Sequence, residues 1–278
     1  MFATACEKAS KFTRPVIVST RTAAGKVSSG LGAFIIVNRD GWFVTAGHLF
    51  DSFVRFQEES KRAKEAEAGK KIPGFDPKDP NRIVNHSFWW GWDNVSLETV
   101  YINREIDIAV GKLRHFDPSK ISEYPVFKRS KEIKSGMSLC RLGFPFVQVS
   151  AEFDEKTNAF RLKKESSSLT LFPNDGIHTR TVVKGKSMDG NYDMLYVETS
   201  TPGLRGQSGG PIFDRNGYVC AVQVGTTHLP LGFHPEVEFN GMKVVENQFL
   251  NVGFGVHAET IRQVLKGKGV PFSEESGE

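Results

Sequence analysis

Cysteine is scarce in this sequence, which has only Cys6, Cys140 and Cys220 among 278 residues. An odd number at wide spacing argues against the disulfide framework that stabilises many small secreted domains. Cys140 and Cys220 each lie within an apolar, strand-like run. We therefore expect buried, reduced thiols and a cytoplasmic protein.

Long hydrophobic runs are absent as well. No stretch approaches the ~20 apolar residues that a membrane span requires. The N-terminus reaches charged residues at Glu7 and Lys8, too soon for the apolar core of a signal peptide. The sequence therefore predicts neither a membrane partner nor a secretory signal.

Charge of one sign is not in strong excess, and no metal-binding pattern is evident. The chain has 36 basic and 32 acidic residues, a formal charge of +4, and no long basic run, so no nucleic-acid partner is expected. Apart from His48, the histidines lack the paired spacing of a zinc site, and we expect no metal. They are His86, His115, His178, His228, His234 and His257.

Helical patterns are also few, whereas short strand-like runs recur along the chain. Only residues 50–68 and 258–266 show helical periodicity, and the prolines of residues 70–81 indicate a loop. An Asp40-Gly41 pair between apolar runs predicts a hairpin. The pattern therefore predicts an all-β protein. The strands are predicted at Val16–Val18, Ala33–Val37, Trp42–His48, Arg82–Trp90, Glu98–Asn103, Asp107–Leu113, Leu169–Phe172, Thr179–Lys184, Met194–Glu198, Pro211–Phe213, Tyr218–Val224 and Phe249–Phe254.

Two long segments between these strands are predicted to be irregular. His115–Glu132 is polar, bears proline and lacks strong periodicity, so it is predicted to connect two halves of the protein. Ala151–Ser168 is predicted to be a charged loop within the second half.

The segment Gly206–Pro211 reads Gly-Gln-Ser-Gly-Gly-Pro and is suited to exposing the hydroxyl of Ser208. A serine is a poor nucleophile without a base and an orienting carboxylate. His48 follows an apolar strand that ends in small residues, and Asp107 lies in the apolar run Ile106–Val110, where an unpaired charge would be costly. Together the three residues predict a site for acyl transfer.

The same serine segment also fits the G-x-S-x-G turn of α/β-hydrolases. That fold requires alternating strands and helices before the serine and a catalytic histidine after it. This chain has few helices, and its candidate base, His48, precedes the serine. The context therefore favours an unrelated, all-β enzyme.

The segments Thr45–His48, Asp107–Ala109 and Gly206–Pro211 resemble those of the trypsin-like serine proteases, in the same order. The similarity is greatest to the HtrA/Deg and glutamyl-endopeptidase branches, because Val252–His257 followed by a helical Ala258–Lys266 resembles the end of an HtrA protease domain. It runs from about Val16 to Leu265, without a PDZ domain.

This resemblance implies a chymotrypsin-like fold of two six-stranded antiparallel β-barrels. Residues 1–125 would form the first barrel, with an inserted helix and loop at about 50–81, and residues 126–278 the second barrel and a C-terminal helix. His48 and Asp107 would then come from the first barrel and Ser208 from the second.

The resemblance further implies a serine endopeptidase that needs no cofactor and acts on protein or peptide substrates. His48 would be the base, Asp107 its orienting carboxylate and Ser208 the nucleophile, with the backbone N–H groups of Gly206 and Ser208 as the oxyanion hole. The alternative is a protease-fold regulatory or binding module whose cleavage depends on a partner protein.

By motif alignment, the specificity pocket would be formed by the residues before the serine and by a later strand. No acid lies at its floor, so small or apolar residues before the scissile bond are expected rather than Lys or Arg. Arg205 and His228 leave a preference for acidic residues open, although both also suit a solvated rim. The predicted pocket residues are Pro202, Gly203, Arg205, Gln223 and Gly225.

The residue before the candidate nucleophile is the uncharged Gln207. In trypsin-type zymogens an aspartate at this position pairs with a newly cut N-terminus and orders the oxyanion loop. An ammonium group buried against an amide would lack that charge pairing. The sequence therefore predicts activity without N-terminal cleavage, with loop order set by packing, substrate or a partner.

Overall fold

The computed structural model describes residues 1–163, 169–245 and 248–276, most of which lie in strands and loops. None of the described helices is long and apolar enough to cross a membrane. The helices are α1 (Ala3–Phe12), α2 (Asp51–Glu67) and α3 (Ala258–Gly267). The strands are β1 (Thr13–Thr22), β2 (Val27–Ile36), β3 (Trp42–Ala46), β4 (Ile83–Trp89), β5 (Ser96–Asn103), β6 (Ile108–Arg114), β7 (Val126–Phe127), β8 (Ser138–Arg141), β9 (Ala151–Asp154), β10 (Ala159–Leu162), β11 (Asn174–Lys186), β12 (Asp193–Thr199), β13 (Pro211–Phe213), β14 (Val219–Pro230), β15 (Glu236–Phe239), β16 (Met242–Val245), β17 (Phe249–His257) and β18 (Ser273–Glu274).

The first six strands form one curled antiparallel sheet in the order β4-β1-β2-β3-β6-β5. Its interior is aromatic: the rings of Phe34 and Phe43 lie 5.6 Å apart, and that of Trp90 lies 4.8 Å from Phe43. The predicted hairpin joins β2 to β3, where Asn38 Oδ1 accepts a hydrogen bond from the N–H of Asp40 at 3.0 Å. In the described part of the chain, no ladder joins β4 to β5.

The second sheet closes on itself. Six strands follow one another in the order β13-β8-β11-β12-β17-β14, and β13 also pairs with β14. The short strands β7 and β18 extend the sheet in parallel. Buried residues such as Val197, Ile212 and Val222 fill its interior, and α3 contributes Ile261 and Leu265 to the same core.

Helix α2 is inserted directly after β3, close to the predicted position. The rings of Phe50 and Phe88 lie 4.9 Å apart, and Phe53 packs against Phe88 as well, so the start of the helix is fixed to β4. Further along, Glu59 Oε2 accepts a hydrogen bond from the N–H of Ile83 at 2.7 Å. No residue of α2 is fully buried, as expected for a helix covering one edge of the sheet.

Helix α1 was not predicted by the sequence pattern. It lies against the second sheet and buries only Ala5, Ala9 and Phe12. Its buried residues have helical spacing, but two of the three are alanines, so the apolar face is weak and the helix was not identified from the sequence. Its Cys6 lies near β8, with 3.9 Å between the sulfurs of Cys6 and Cys140, and the three thiols are free.

Two predictions for the second half were wrong. The charged segment 151–168 contains the hairpin of β9 and β10, in which the rings of Phe153 and Phe160 lie 5.1 Å apart; residues 164–168 lie outside the described residues. Conversely, Leu169–Phe172 is not a strand, and the backbone groups of Phe172 bond to two different loops, at Gly143 and Gln207, rather than to one ladder. The N–H of Phe172 donates to the Gly143 carbonyl at 2.9 Å, for example.

Candidate active site

His48 and Asp107 are brought together at the end of the first sheet. His48 Nδ1 lies 2.8 Å from Asp107 Oδ2, and the backbone N–H of His48 donates to Asp107 Oδ1 at 2.7 Å. Both oxygens of the carboxylate therefore hold the histidine. Asp107 has a φ of +56°, a left-handed conformation that aspartate tolerates better than most residues.

Gly47 makes this close approach possible. Its N–H donates to the Asp107 carbonyl at 2.9 Å. A Cβ atom at Gly47 would lie 3.1 Å from Asp107 Oδ1 and 3.2 Å from the nitrogen of Ile108, closer than ordinary contacts allow. A side chain at this position would require Asp107 to shift by a few tenths of an ångström, which would disturb its two hydrogen bonds to His48.

The loop that carries Ser208 is fixed to the first sheet by its backbone. The Ser208 carbonyl accepts a hydrogen bond from the N–H of Ala33 at 2.8 Å, and the Ala33 carbonyl accepts one from Thr45 Oγ1 at 2.6 Å. Because Thr45 lies three residues before His48, these bonds hold the serine loop beside the strand that supplies the histidine. A Cβ atom at Gly209 would clash with the same two groups of Ala33 and Thr45.

The side chains of Ser208 and His48 are not hydrogen bonded to each other in the part of the chain that the structure describes. Catalytic hydrogen bonds are often long in enzymes without substrate and tighten in the substrate complex. The backbone bonds through Ala33 and Thr45 therefore hold the serine loop beside the strand that precedes His48, without a direct side-chain bond between Ser208 and His48.

The loop that carries the serine also supplies the backbone N–H groups of Gly206 and Ser208. Among the described residues, neither N–H has a hydrogen-bond partner. Gly206 has a φ of +93°, and a Cβ atom there would clash with the Phe144 carbonyl, so only glycine fits. The Gly206 carbonyl accepts from the N–H of Phe144 at 2.9 Å, which fixes the orientation of the loop.

A cavity of about 360 Å³ opens beside Ser208. All five residues predicted for the specificity pocket line it, together with His228. Sequence reasoning missed two further lining residues, Thr226 and Asn251. Asn251 is distant in sequence from the other lining residues. It pairs with His228 across β14 and β17, so its position in the cavity follows only from the register of these two strands.

The electrostatics of the site favour a charged histidine. The hydrogen bond to Asp107 raises the pKa of His48 above its usual value, and the charges of Asp107 and Asp51 act in the same direction, while burial opposes them. No cluster of three or more metal-binding side chains occurs within the described residues. The arrangement is suited to proton transfer between an imidazole and a nearby hydroxyl.

The fold and these three segments define a known class of protein. A family model described as a trypsin-like peptidase domain matches residues 30–222, which include His48, Asp107 and Ser208. The chain belongs to this family, as the sequence resemblance predicted. No curated protein matches the chain.

Similar solved structures cover nearly the whole chain. An HtrA-type protease, a variant of AlgW with a tripeptide, has a TM-score of 0.52 at 15% identity over 96% of this chain and 63% of that one. The active form of the Rv3671c protease from M. tuberculosis has a TM-score of 0.50 at 14% identity over 98% of this chain and 87% of that one. The chain thus spans less than two thirds of the AlgW chain. These similarities confirm the chymotrypsin-like fold.

Proposed function

We propose that this protein is a serine endopeptidase with His48, Asp107 and Ser208 as its catalytic triad. The observation that carries this proposal is the two-point hold of Asp107 on His48, beside a serine loop bonded to the strand that leads to that histidine. Family membership supports the same reaction class. The AlgW structures that resemble this chain hold a tripeptide, which supports a peptide substrate here.

In the proposed mechanism, His48 Nε2 accepts the proton of Ser208 Oγ as that oxygen attacks the carbonyl carbon of the scissile bond. Asp107 accepts the Nδ1–H hydrogen bond, so Nε2 is the free, basic nitrogen, and the carboxylate stabilises the imidazolium that forms. His48 then donates the proton to the leaving amine. A water molecule, activated by the same histidine, hydrolyses the acyl-enzyme.

The unpaired N–H groups of Gly206 and Ser208 are the proposed oxyanion hole. They are supplied by a loop whose conformation is already fixed, so little reorganisation is needed when the negative charge develops. Loss of one such donor typically costs about 3 kcal/mol of transition-state stabilisation. The cavity beside Ser208 is the proposed site for the side chain of the residue before the scissile bond.

The proposal is tested by turnover of peptide and protein substrates by the purified chain. Ser208→Ala and His48→Ala should each lower kcat by up to about a millionfold, and the double variant should be no worse than either single one. Ser135→Ala, at an exposed serine away from the site, is the matched control and should keep full activity. Persistent cleavage by Ser208→Ala would overturn the assignment.

A further inference from the structure

Arg141, at the end of β8, is a buried arginine without an acidic partner. Its side chain is 1% exposed. Nη2 donates to the Thr201 carbonyl at 3.0 Å and contacts the hydroxyl groups of Thr199 and Thr201. Nη1 has no hydrogen-bond partner, and no carboxylate of the described chain forms an ion pair with this guanidinium.

The guanidinium packs against two backbone segments that lead into the lining of the cavity beside Ser208. Thr201, which accepts from Nη2, immediately precedes the lining residue Pro202. Gly253 adjoins Thr201, since its N–H donates to the Thr201 carbonyl at 2.8 Å. A Cβ atom at Gly253 would clash with Nη1, so this guanidinium nitrogen packs against β17. Gly253 pairs with Thr226, which lines the cavity. The unpaired guanidinium therefore contacts two backbone segments that adjoin lining residues of the cavity.

The cavity itself has basic side chains and no acidic ones. Arg205 and His228 line its exposed side, and its ten lining residues, all within the described chain, include no aspartate or glutamate. His228 Nδ1 is hydrogen bonded to Asn251 Oδ1, which fixes the imidazole ring. The fixed positive charges near the cavity are thus Arg205 on its exposed side and Arg141 beside the segments that line it.

We propose that this cavity binds the carboxylate side chain of an aspartate or glutamate immediately before the scissile bond. This inference deepens the proposed peptidase function and rests on it. It replaces the sequence-based expectation of small or apolar residues, which depended only on the absence of an acid at the pocket floor and took no account of Arg141.

The physical reason is charge compensation. A buried cation without a counter-ion is unfavourable because it has lost its hydration and gained no ionic partner. A substrate carboxylate in the cavity would approach the positive charges of Arg205 and Arg141, and its attraction to the buried one is weakly screened by solvent. A substrate lysine or arginine would be repelled by the same positive charges. The cavity volume lies within the range of small-ligand pockets, so it can accept a side chain of this size.

The first test compares matched peptides that differ only at the residue before the scissile bond. We expect kcat/KM for Glu to exceed that for the isosteric Gln by tenfold or more, and Lys to be the poorest. Arg205→Gln and His228→Gln should each lower the Glu-to-Gln ratio, whereas Arg62→Gln on exposed α2 should not. Arg141→Met should lower the ratio and Arg141→Lys should retain more of it, a charge dependence that a purely structural role would not produce.

The second test needs no turnover and keeps the two proposals separate. The Ser208→Ala variant is titrated with product-like peptides that end in Glu, Gln or Lys, and binding is measured by fluorescence polarisation. Tighter binding of the Glu peptide supports the inference even if the wild-type chain cleaves nothing, an outcome that would refute the peptidase function alone. Equal binding and equal cleavage of Glu and Gln peptides, or a preference for Lys, would overturn the inference.

Discussion

The side chain of Gln207 accepts a hydrogen bond from the backbone N–H of Leu204, with 2.9 Å between Oε1 and the nitrogen. The N–H of Gln207 also donates to the Leu204 carbonyl at 2.9 Å, and the side chain is fully buried. The residue before Ser208 therefore holds the loop of the proposed oxyanion hole from within. The Gln207 side chain is therefore already hydrogen bonded to the loop and is not available to pair with an inserted N-terminus.

Replacing Gln207 by alanine should disorder this loop without unfolding the chain. The change leaves the N–H of the half-buried Leu204 without its side-chain partner, at a cost of about 1–3 kcal/mol. If that cost falls on the ordered loop, kcat/KM should decrease about 5-fold to 160-fold. Steady-state kinetics and thermal unfolding of the same preparation check this. Undiminished kcat/KM in Gln207→Ala would show that the loop is ordered by other contacts.

N-terminal trimming should not activate the enzyme. A chain beginning at Lys11 lacks Ala5 and Ala9, which α1 buries against the second sheet, so we expect lower thermal stability and no gain in kcat/KM. A chain with a non-cleavable N-terminal tag should match the untagged one, because Met1 is fully exposed. A large gain only after trimming would contradict this account and indicate a maturation step.

The pH dependence of catalysis should report His48. Protonated His48 cannot accept the Ser208 proton, so kcat/KM should be lost as pH falls through the pKa of this histidine. That pKa lies above its usual value because the imidazolium is hydrogen bonded to Asp107. Asp107→Asn should lower kcat by about 10⁴-fold and move the acidic limb to lower pH. An acidic limb that does not move in this variant would argue against the pairing of His48 with Asp107.

Acid should destabilise the fold through a second histidine, His257 at the start of α3. Burial, His178 and Arg262 lower the pKa of His257 to about 4. Its neutral form accepts the N–H of Glu259 at 3.0 Å. A lowered folded-state pKa means that stability is complete above the unfolded-state value and is lost as pH falls from about 6.5 towards about 4.

His257→Asn keeps an acceptor for the Glu259 N–H but cannot titrate. The free energy of unfolding of this variant, measured in urea at several pH values, should fall less steeply between pH 6.5 and 4, by up to about 1.4 kcal/mol per pH unit. His86, whose pKa burial also lowers to about 4, should account for much of the remaining slope. An unchanged slope would show that His257 is already charged in the folded protein.

Local features of the sequence were sufficient to predict much of the fold. Apolar runs bounded by turn residues predicted β13 at its observed limits, and the amphipathic segment after His48 predicted α2. The sequence pattern did not predict features whose stabilising contacts come from residues that are distant in the chain. Helix α1 depends on the surface of the second sheet, and Arg141 is significant only because β11, β12 and β17 bring Thr201 and Gly253 around it. The domain boundary at residues 125 and 126 stays a prediction.

The triad motifs could be recognised from sequence because each depends on a few adjacent residues. The contacts that hold these motifs together could not be recognised from sequence. The bond from Ala33 to Ser208 is made by a residue outside these motifs and arises only where the two sheets meet, and the bond from Thr45 to Ala33 within the first sheet links it to the histidine strand. Likewise, Asn251 joins the cavity only through the register of β14 and β17.

Active-site labelling tests the central claim, that His48 activates Ser208 as a nucleophile, most directly. The wild-type chain, Ser208→Ala, His48→Ala and the Ser135→Ala control are treated with a fluorophosphonate and measured by intact mass and peptide mapping. We predict one label per chain, on Ser208, in the wild type and the control, and none in Ser208→Ala or His48→Ala. Equal labelling of Ser208→Ala, or a wild-type chain that takes up no label, would contradict the account.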